Sequence, residues 1–298
     1  MLRSILFAGL AVGALASLAP AANAASDCPN GGTVRFGVEP FDASAKLVPI
    51  YNHLAELISN KLDCKVEVFI ATNYNAEIEA MRAGKLELGE FGPLGYVLAH
   101  QVAKAEAVAT FADKNGNPES YTAGIVTWPG SGVTKLEDVR GKSFTFSDPA
   151  STSGHLFPAY WLSKNGIDPE KDVKGFYAGS HAASYEALVN HKAQAGELNS
   201  EQIASATLSN HYNASDFVEL WRSGPIPNDP IAVRGDLPAD FKARLTNVLQ
   251  TLDLGALPEN DRKIMGMSGL KMVPQTDGAF DPIRDLVKVL HIDLNKLS

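Results

Sequence analysis

The sequence predicts an α/β chain folded as two lobes, with mainly parallel sheets and a hinge crossed twice. Three observations carry this. Short β-branched runs alternate with helical patterns along nearly the whole chain, which is the signature of βα units. Two passages, "ESYTAGIVTW" and the proline-stiffened return "VELWRSGPIPNDPIAV", divide the pattern into blocks. The 298 residues, 45% hydrophobic and 20% charged, hold enough apolar material for two moderate cores.

The elements follow in order. Residues 1–24 read as a secretory signal: Arg3 opens it, "ILFAGLAVGALASLA" is its apolar core, and Ala22-Asn23-Ala24 is a small-x-small cleavage site. A membrane anchor is the alternative, although the apolar core is short for a span. "TVRFGVEP" and "CKVEVFIAT" are strand-like, and Leu47, Ile50, Leu54, Leu57 and Ile58 recur between them at helical spacing. A helix closed by Gly84 follows ("NAEIEAMRAGK"), then the strand "LELGEFGP", a helix over "LGYVLAHQVAK" and the strand "AVATFA". Past the first passage come the strands "TAGIVTW" and "SFTFSD", a helix after Ser153, the strand "VKGFYAG" and a helix after His181. "VELWRSGPIPNDPIAV" returns, stiffened by Pro225, Pro227 and Pro230. Residues 25–125 and 219–298 then form one discontinuous lobe and residues 126–218 the other, with a cleft between them.

Composition excludes some functions. A formal net charge of -8 offers no basic field for nucleic acid or anionic lipid. P-loop, G-x-S-x-G and H-E-x-x-H patterns are missing, so neither a metal nor a cofactor is expected. Cys28 and Cys64, the only cysteines, each precede a predicted strand. In an oxidising compartment such a pair reads as a disulfide, with two free thiols as the alternative.

The chemistry concentrates in "DPASTSGHLFPAYWL", where Ser151, Thr152 and Ser153 sit between a strand's carboxyl end and a helix. Unpaired N–H groups and the helix dipole favour an anion there, and hydroxyls add donors without charge. A helix cap by Ser151 or Thr152 is the plainer reading, but three successive hydroxyls exceed what a cap needs. "AGSHAASYEAL" repeats the device with Ser180 and His181. A tetrahedral oxyanion is the natural guest.

The ordered set "DPASTSGHLFP", "GSHAASYEAL" and "IPNDPIAVR", behind a signal segment, resembles the phosphonate-binding proteins of bacterial ABC importers. "VRFGVEP", "YNAEIEAMRAGKLELGEFGPLGYV" and "LEDVRGKSFTF" extend the likeness over nearly the whole mature chain. The resemblance implies a two-lobe, type II periplasmic-binding-protein fold that closes on a phosphonate, phosphite or related ester without chemistry. It also implies a periplasmic monomer that hands its ligand to a membrane permease. Carried over, the oxyanion site falls on Ser151, Thr152, Ser153 and His181, and two cleft tyrosines fall on Tyr74 and Tyr121. Members similar to 2-aminoethylphosphonate binders carry two further carboxylates, here Glu201 and Asp229. Taken singly, the tyrosines also read as packing residues, Glu201 as a helix-start residue and Asp229 as a turn residue. A phosphite, methylphosphonate or phosphate binder of the same fold, or an exported phosphoesterase, are the other readings.

Overall fold

The computed structural model describes residues 28–293; the expected signal segment lies outside the described residues. Thirteen strands run in order. They are β1 (Thr33–Val38), β2 (Lys65–Ile70), β3 (Leu88–Glu90), β4 (Glu106–Phe111), β5 (Ser120–Tyr121), β6 (Gly124–Thr127), β7 (Ser143–Phe146), β8 (Lys174–Tyr177), β9 (Ala195–Glu197), β10 (Val218–Arg222), β11 (Ile226–Pro227), β12 (Ile231–Val233) and β13 (Met272–Val273). One sheet has the order β13-β4-β12-β3-β1-β2, and a second has the order β10-β6-β9-β7-β8.

The sheets are mixed, where mainly parallel pairing was expected. β1 pairs in parallel with β2 and β3, and β7 with β8 and β9. Antiparallel pairs join β12 to both β3 and β4, β13 to β4, and β6 to both β9 and β10. Direction follows connection. A strand reached through a helical crossover runs parallel, whereas β6, β10 and β12 carry the chain out and back and so run against their neighbours.

The two passages meet as a ribbon in which β5 pairs antiparallel with β11, placing Tyr121 opposite Ile226. The hinge is thus crossed twice. The second sheet begins at Gly124 and ends at Arg222, reaching beyond the expected segment 126–218 at both ends.

The helix Ser44–Leu62 shows why the local pattern folds as it does. Leu47, Ile50, Leu54 and Ile58 are buried on one face against Val34, Phe36 and Val38 of β1, while Leu57 is only partly covered. Each such full burial contributes about 1.5–3 kcal/mol. Asp63 ends this helix in a left-handed turn, φ 56°, and Gly84 closes the helix Tyr74–Arg82 in the same way at φ 69°.

Cys28 and Cys64 form a disulfide with Cα atoms 5.8 Å apart, within the usual range. It staples the amino-terminal ends of β1 and β2, away from their carboxyl ends. Replacing both cysteines by serine is expected to lower stability by about 4 kcal/mol in urea unfolding, from the entropy of the 36-residue separation. Ligand affinity should stay unchanged.

Candidate functional site

The carboxyl ends of strands from both sheets face one cleft, where open α/β sheets hold ligands. Within it lies a cavity of about 40 Å³, measured as the space open to the centre of a water-sized sphere. All eight expected site residues line it: Tyr74, Tyr121, Ser151, Thr152, Ser153, His181, Glu201 and Asp229. No Arg or Lys is among its lining residues.

The hydroxyl turn differs from a simple helix start. Residues Thr152–Leu156 form a turn of π-helix, with the Leu156 N–H donating to the Ser151 carbonyl at 3.1 Å, before the α-helix Phe157–Lys164 begins. Such wide turns occur often at functional sites. Gly154 permits the close packing, because a Cβ there would lie 1.8 Å from Ser147 Oγ and 2.8 Å from the His181 ring. Ser151 caps the turn, as the plainer reading held, accepting from the Gly154 N–H at 3.1 Å. Thr152 Oγ1 accepts from the Leu94 N–H at 2.8 Å, and Ser153 Oγ accepts from Asn199 Nδ2 at 3.0 Å. Each hydroxyl oxygen therefore receives a protein donor, which leaves its own proton available to an anion. Among the described residues, no carbonyl accepts from the backbone N–H of Thr152 or Ser153. Tyr121, on the hinge ribbon, lines the same cavity as Ser153 and Thr152.

His181 opens the helix His181–Val189, with Ser180 as its cap accepting from the Ala183 N–H. Its Nδ1 lies 3.0 Å from Glu197 Oε1, and its Nε2 lies 3.2 Å from Ser151 Oγ. A carboxylate fixes the proton on Nδ1, so in the imidazolium Nε2 also donates, towards the hydroxyl turn. Burial alone would lower the His181 pKa. The charge and hydrogen bond of Glu197, with Glu201 and Asp148 behind them, outweigh burial and hold it above its ordinary value. His155, in the same turn, stays with the core: its Nδ1 meets the Pro149 carbonyl at 2.8 Å and its Nε2 the Tyr177 hydroxyl at 3.0 Å.

The rest of the cavity is acidic. Glu201, in the first turn of the helix Ser200–Leu208, accepts from Asn228 Nδ2 at 3.2 Å. Burial pushes its carboxyl up to about 7, against the pull of His181 and Asn228. Asp229, just before β12, is held well above the usual range by burial, then by Glu201 and Glu90. Sequence reasoning missed Glu39, Glu90 and Glu197, which end or follow β1, β3 and β9. All three stand one or two residues after a glycine at a strand's carboxyl end, as in "GVE", "GE" and "GE" again, and that position was the signal. It also missed the cross-cleft clasp at the mouth. There Lys46 Nζ donates to Ser205 Oγ at 2.6 Å, Ser205 Oγ donates to Asp42 at 3.2 Å, and the Ala182 N–H donates to the Phe41 carbonyl at 3.3 Å. With Thr152 on Leu94, these bonds join the two sheet units, so the cleft is closed.

Residues 36–277 match the family described as "ABC transporter, phosphonate, periplasmic substrate-binding protein". The chain belongs to that family. This phosphonate-binding protein is 26% identical over 258 residues to the phosphonates-binding periplasmic protein of Escherichia coli, covering 85% of this chain and 75% of that one. It is 25% identical over 274 residues to a phosphate-import protein of Mycolicibacterium smegmatis, covering 86% and 85%. A phosphonate-transporter binding protein from Pseudomonas aeruginosa, of known crystal structure, shares its fold with a TM-score of 0.76 and 26% identity, covering 85% of each chain. By its family the protein is the periplasmic substrate-binding component of a phosphonate ABC transporter, working with the membrane permease, and the family is one of binding proteins and not of enzymes.

Proposed function

We propose that the ligand is 2-aminoethylphosphonate or a similar aminoalkylphosphonate, gripped at both ends of the cleft. The supporting observation is that Glu201 and Asp229 line the same cavity as the hydroxyl turn with no Arg or Lys among them. Two carboxylates beside a phosphonate repel it unless a cation lies between, and an ammonium on the ligand is such a cation. In this reading Ser151, Thr152, Ser153 and His181 donate to the PO₃ head, Tyr74 and Tyr121 close over it, and Glu201 with Asp229 hold the amine. One lobe carries the sheet of β1 to β4 with β12 and β13, the other the sheet between residues 124 and 222, and they rotate about the β5–β11 ribbon. The closed form, signalled by its outer surfaces, is what the permease reads.

The carboxylates also couple closure to the ligand. Glu201 and Glu90, raised chiefly by burial to about 7 and about 8, bind protons more tightly in the closed fold than in the unfolded chain. The resulting penalty is absent below about pH 4 and complete above about pH 8, so the closed form loses stability as pH rises. A ligand ammonium offsets that repulsion. The rise in melting temperature caused by 2-aminoethylphosphonate should therefore be larger at pH 8.5 than at pH 6. Methylphosphonate, which carries no ammonium, is the control and should gain less over the same range.

A second reading, a methylphosphonate, phosphite or phosphate binder, draws on one observation: burial and the neighbouring Glu77, Asp229 and Asp148 hold Glu39 well above the usual range, which weakens the acidic wall's repulsion of an anion without an amine. Calorimetric titration separates the two. The aminoalkyl reading expects 2-aminoethylphosphonate to bind at least tenfold more tightly than methylphosphonate or phosphate; equal or reversed affinities favour the second.

A further inference from the structure

The acidic end of the cleft holds a third carboxylate to which the reading above gives no contact with the ligand. Glu90 ends β3, is 6% exposed, and lines the same cavity as Glu201 and Asp229. Its Oε1 accepts from the Tyr51 hydroxyl at 3.0 Å. Its Oε2 is buried with no hydrogen-bond partner. A carboxylate oxygen taken out of water without a donor is unfavourable, and nothing in the β3 ladder requires it. The backbone bonds of β3 to β1 and β12 are complete without the side chain.

The three carboxylates are mutual neighbours. Glu201 acts on Glu90, and Glu201 and Glu90 both act on Asp229. They arrive from three elements: strand β3, the first turn of the helix Ser200–Leu208 and the segment before β12. Glu39 lines the same cavity and its Oε1 is likewise without a partner, but that oxygen faces Gly95, where a Cβ would lie 2.3 Å away, and its Oε2 accepts from the Gly92 N–H at 2.8 Å. Among the described residues, no group of His, Cys, Asp and Glu side chains is placed to hold a metal ion. A primary ammonium presents three N–H donors, one for each of three acceptors reaching it from different directions. A trimethylammonium presents none.

We propose that Glu90 is the third arm of an ammonium tripod with Glu201 and Asp229, selecting phosphonates with a primary amine over N-methylated and amine-free ones. The inference rests on the aminoalkylphosphonate reading and adds the degree of substitution at nitrogen. Tyr51, by holding Oε1, turns the Oε2 side towards the ligand and acts as a positioning residue.

Calorimetric titration of the mature protein with 2-aminoethylphosphonate, its N-methyl and N,N,N-trimethyl derivatives, and ethylphosphonate tests this. Affinity should fall stepwise with each methyl. Glu90→Gln should weaken 2-aminoethylphosphonate by about 10- to 100-fold, the worth of a charge-assisted hydrogen bond, and by at least ten times more than it weakens ethylphosphonate. Equal affinities of the unaltered protein for the primary and trimethylated amines overturn the tripod, and that arm needs no variant to fold. A folded Glu90→Gln protein that binds 2-aminoethylphosphonate within twofold of the parent also overturns it. If the unaltered protein binds 2-aminoethylphosphonate no more tightly than ethylphosphonate, the aminoalkyl reading itself fails and takes the tripod with it.

Discussion

Thr152→Ala is expected to weaken every phosphonate by about 100- to 1000-fold while leaving the fold intact. The side chain does two things at once. Its O–H is a donor available to the anion, and a hydrogen bond to a charged group is worth about 1.5–3 kcal/mol. Its oxygen also accepts from the Leu94 N–H, at the start of the helix Pro93–Ala103 on the opposite side of the cleft. Alanine strands that N–H, which adds about 1–3 kcal/mol against closure. In an open cleft water satisfies Leu94, so the second effect falls on closing and not on folding. Titration with 2-aminoethylphosphonate and with methylphosphonate should show the same large loss for both, with the melting temperature of the protein alone shifted little. Affinity within threefold of the parent would remove Thr152 from the site.

Asp229→Asn should do the reverse in selectivity. The carboxylate is pressed by Glu201 and Glu90 in a buried wall, so removing its charge relieves repulsion in the closed form. An amine-bearing ligand loses an ion pair in a dry cavity, a loss of about 3–5 kcal/mol when one partner of a buried pair goes. 2-Aminoethylphosphonate is therefore expected to weaken by at least 100-fold, while methylphosphonate binds as well as before or more tightly. The ratio of the two affinities is the readout. A parallel loss for both ligands would show that Asp229 shapes the cleft instead of recognising the amine.

What the sequence disclosed and what it hid divide along physical lines. Helical and strand periodicity located the elements, because burial of one face leaves its mark on every turn: Leu47, Ile50, Leu54 and Ile58 are an example. Periodicity carries no direction, so the antiparallel entry of β12 between β3 and β4 was not visible. The hydroxyl run and His181 were legible as a cluster of donors, and they lie together around one cavity. The π-turn that presents them was not, since it depends on Gly154 meeting Ser147 and His181 from distant positions. Glu197 was unmarked in the sequence, yet as the partner of His181 Nδ1 it holds the charge of the anion end. Glu90 lay unmarked within "LELGEFGP" for the same reason: a buried acid declares itself chiefly by its neighbours.

The most direct test of the two-ended grip is thermal melting with 2-aminoethylphosphonate set against its separated halves, methylphosphonate plus methylamine, at matched concentrations near neutral pH. A ligand at a hundred times its Kd adds about 2.7 kcal/mol of stability, a readily measured shift. Joining anion and cation in one molecule should raise the melting temperature well beyond what the mixed halves achieve. A shift no greater than that of the mixture, or none with any phosphonate, contradicts it.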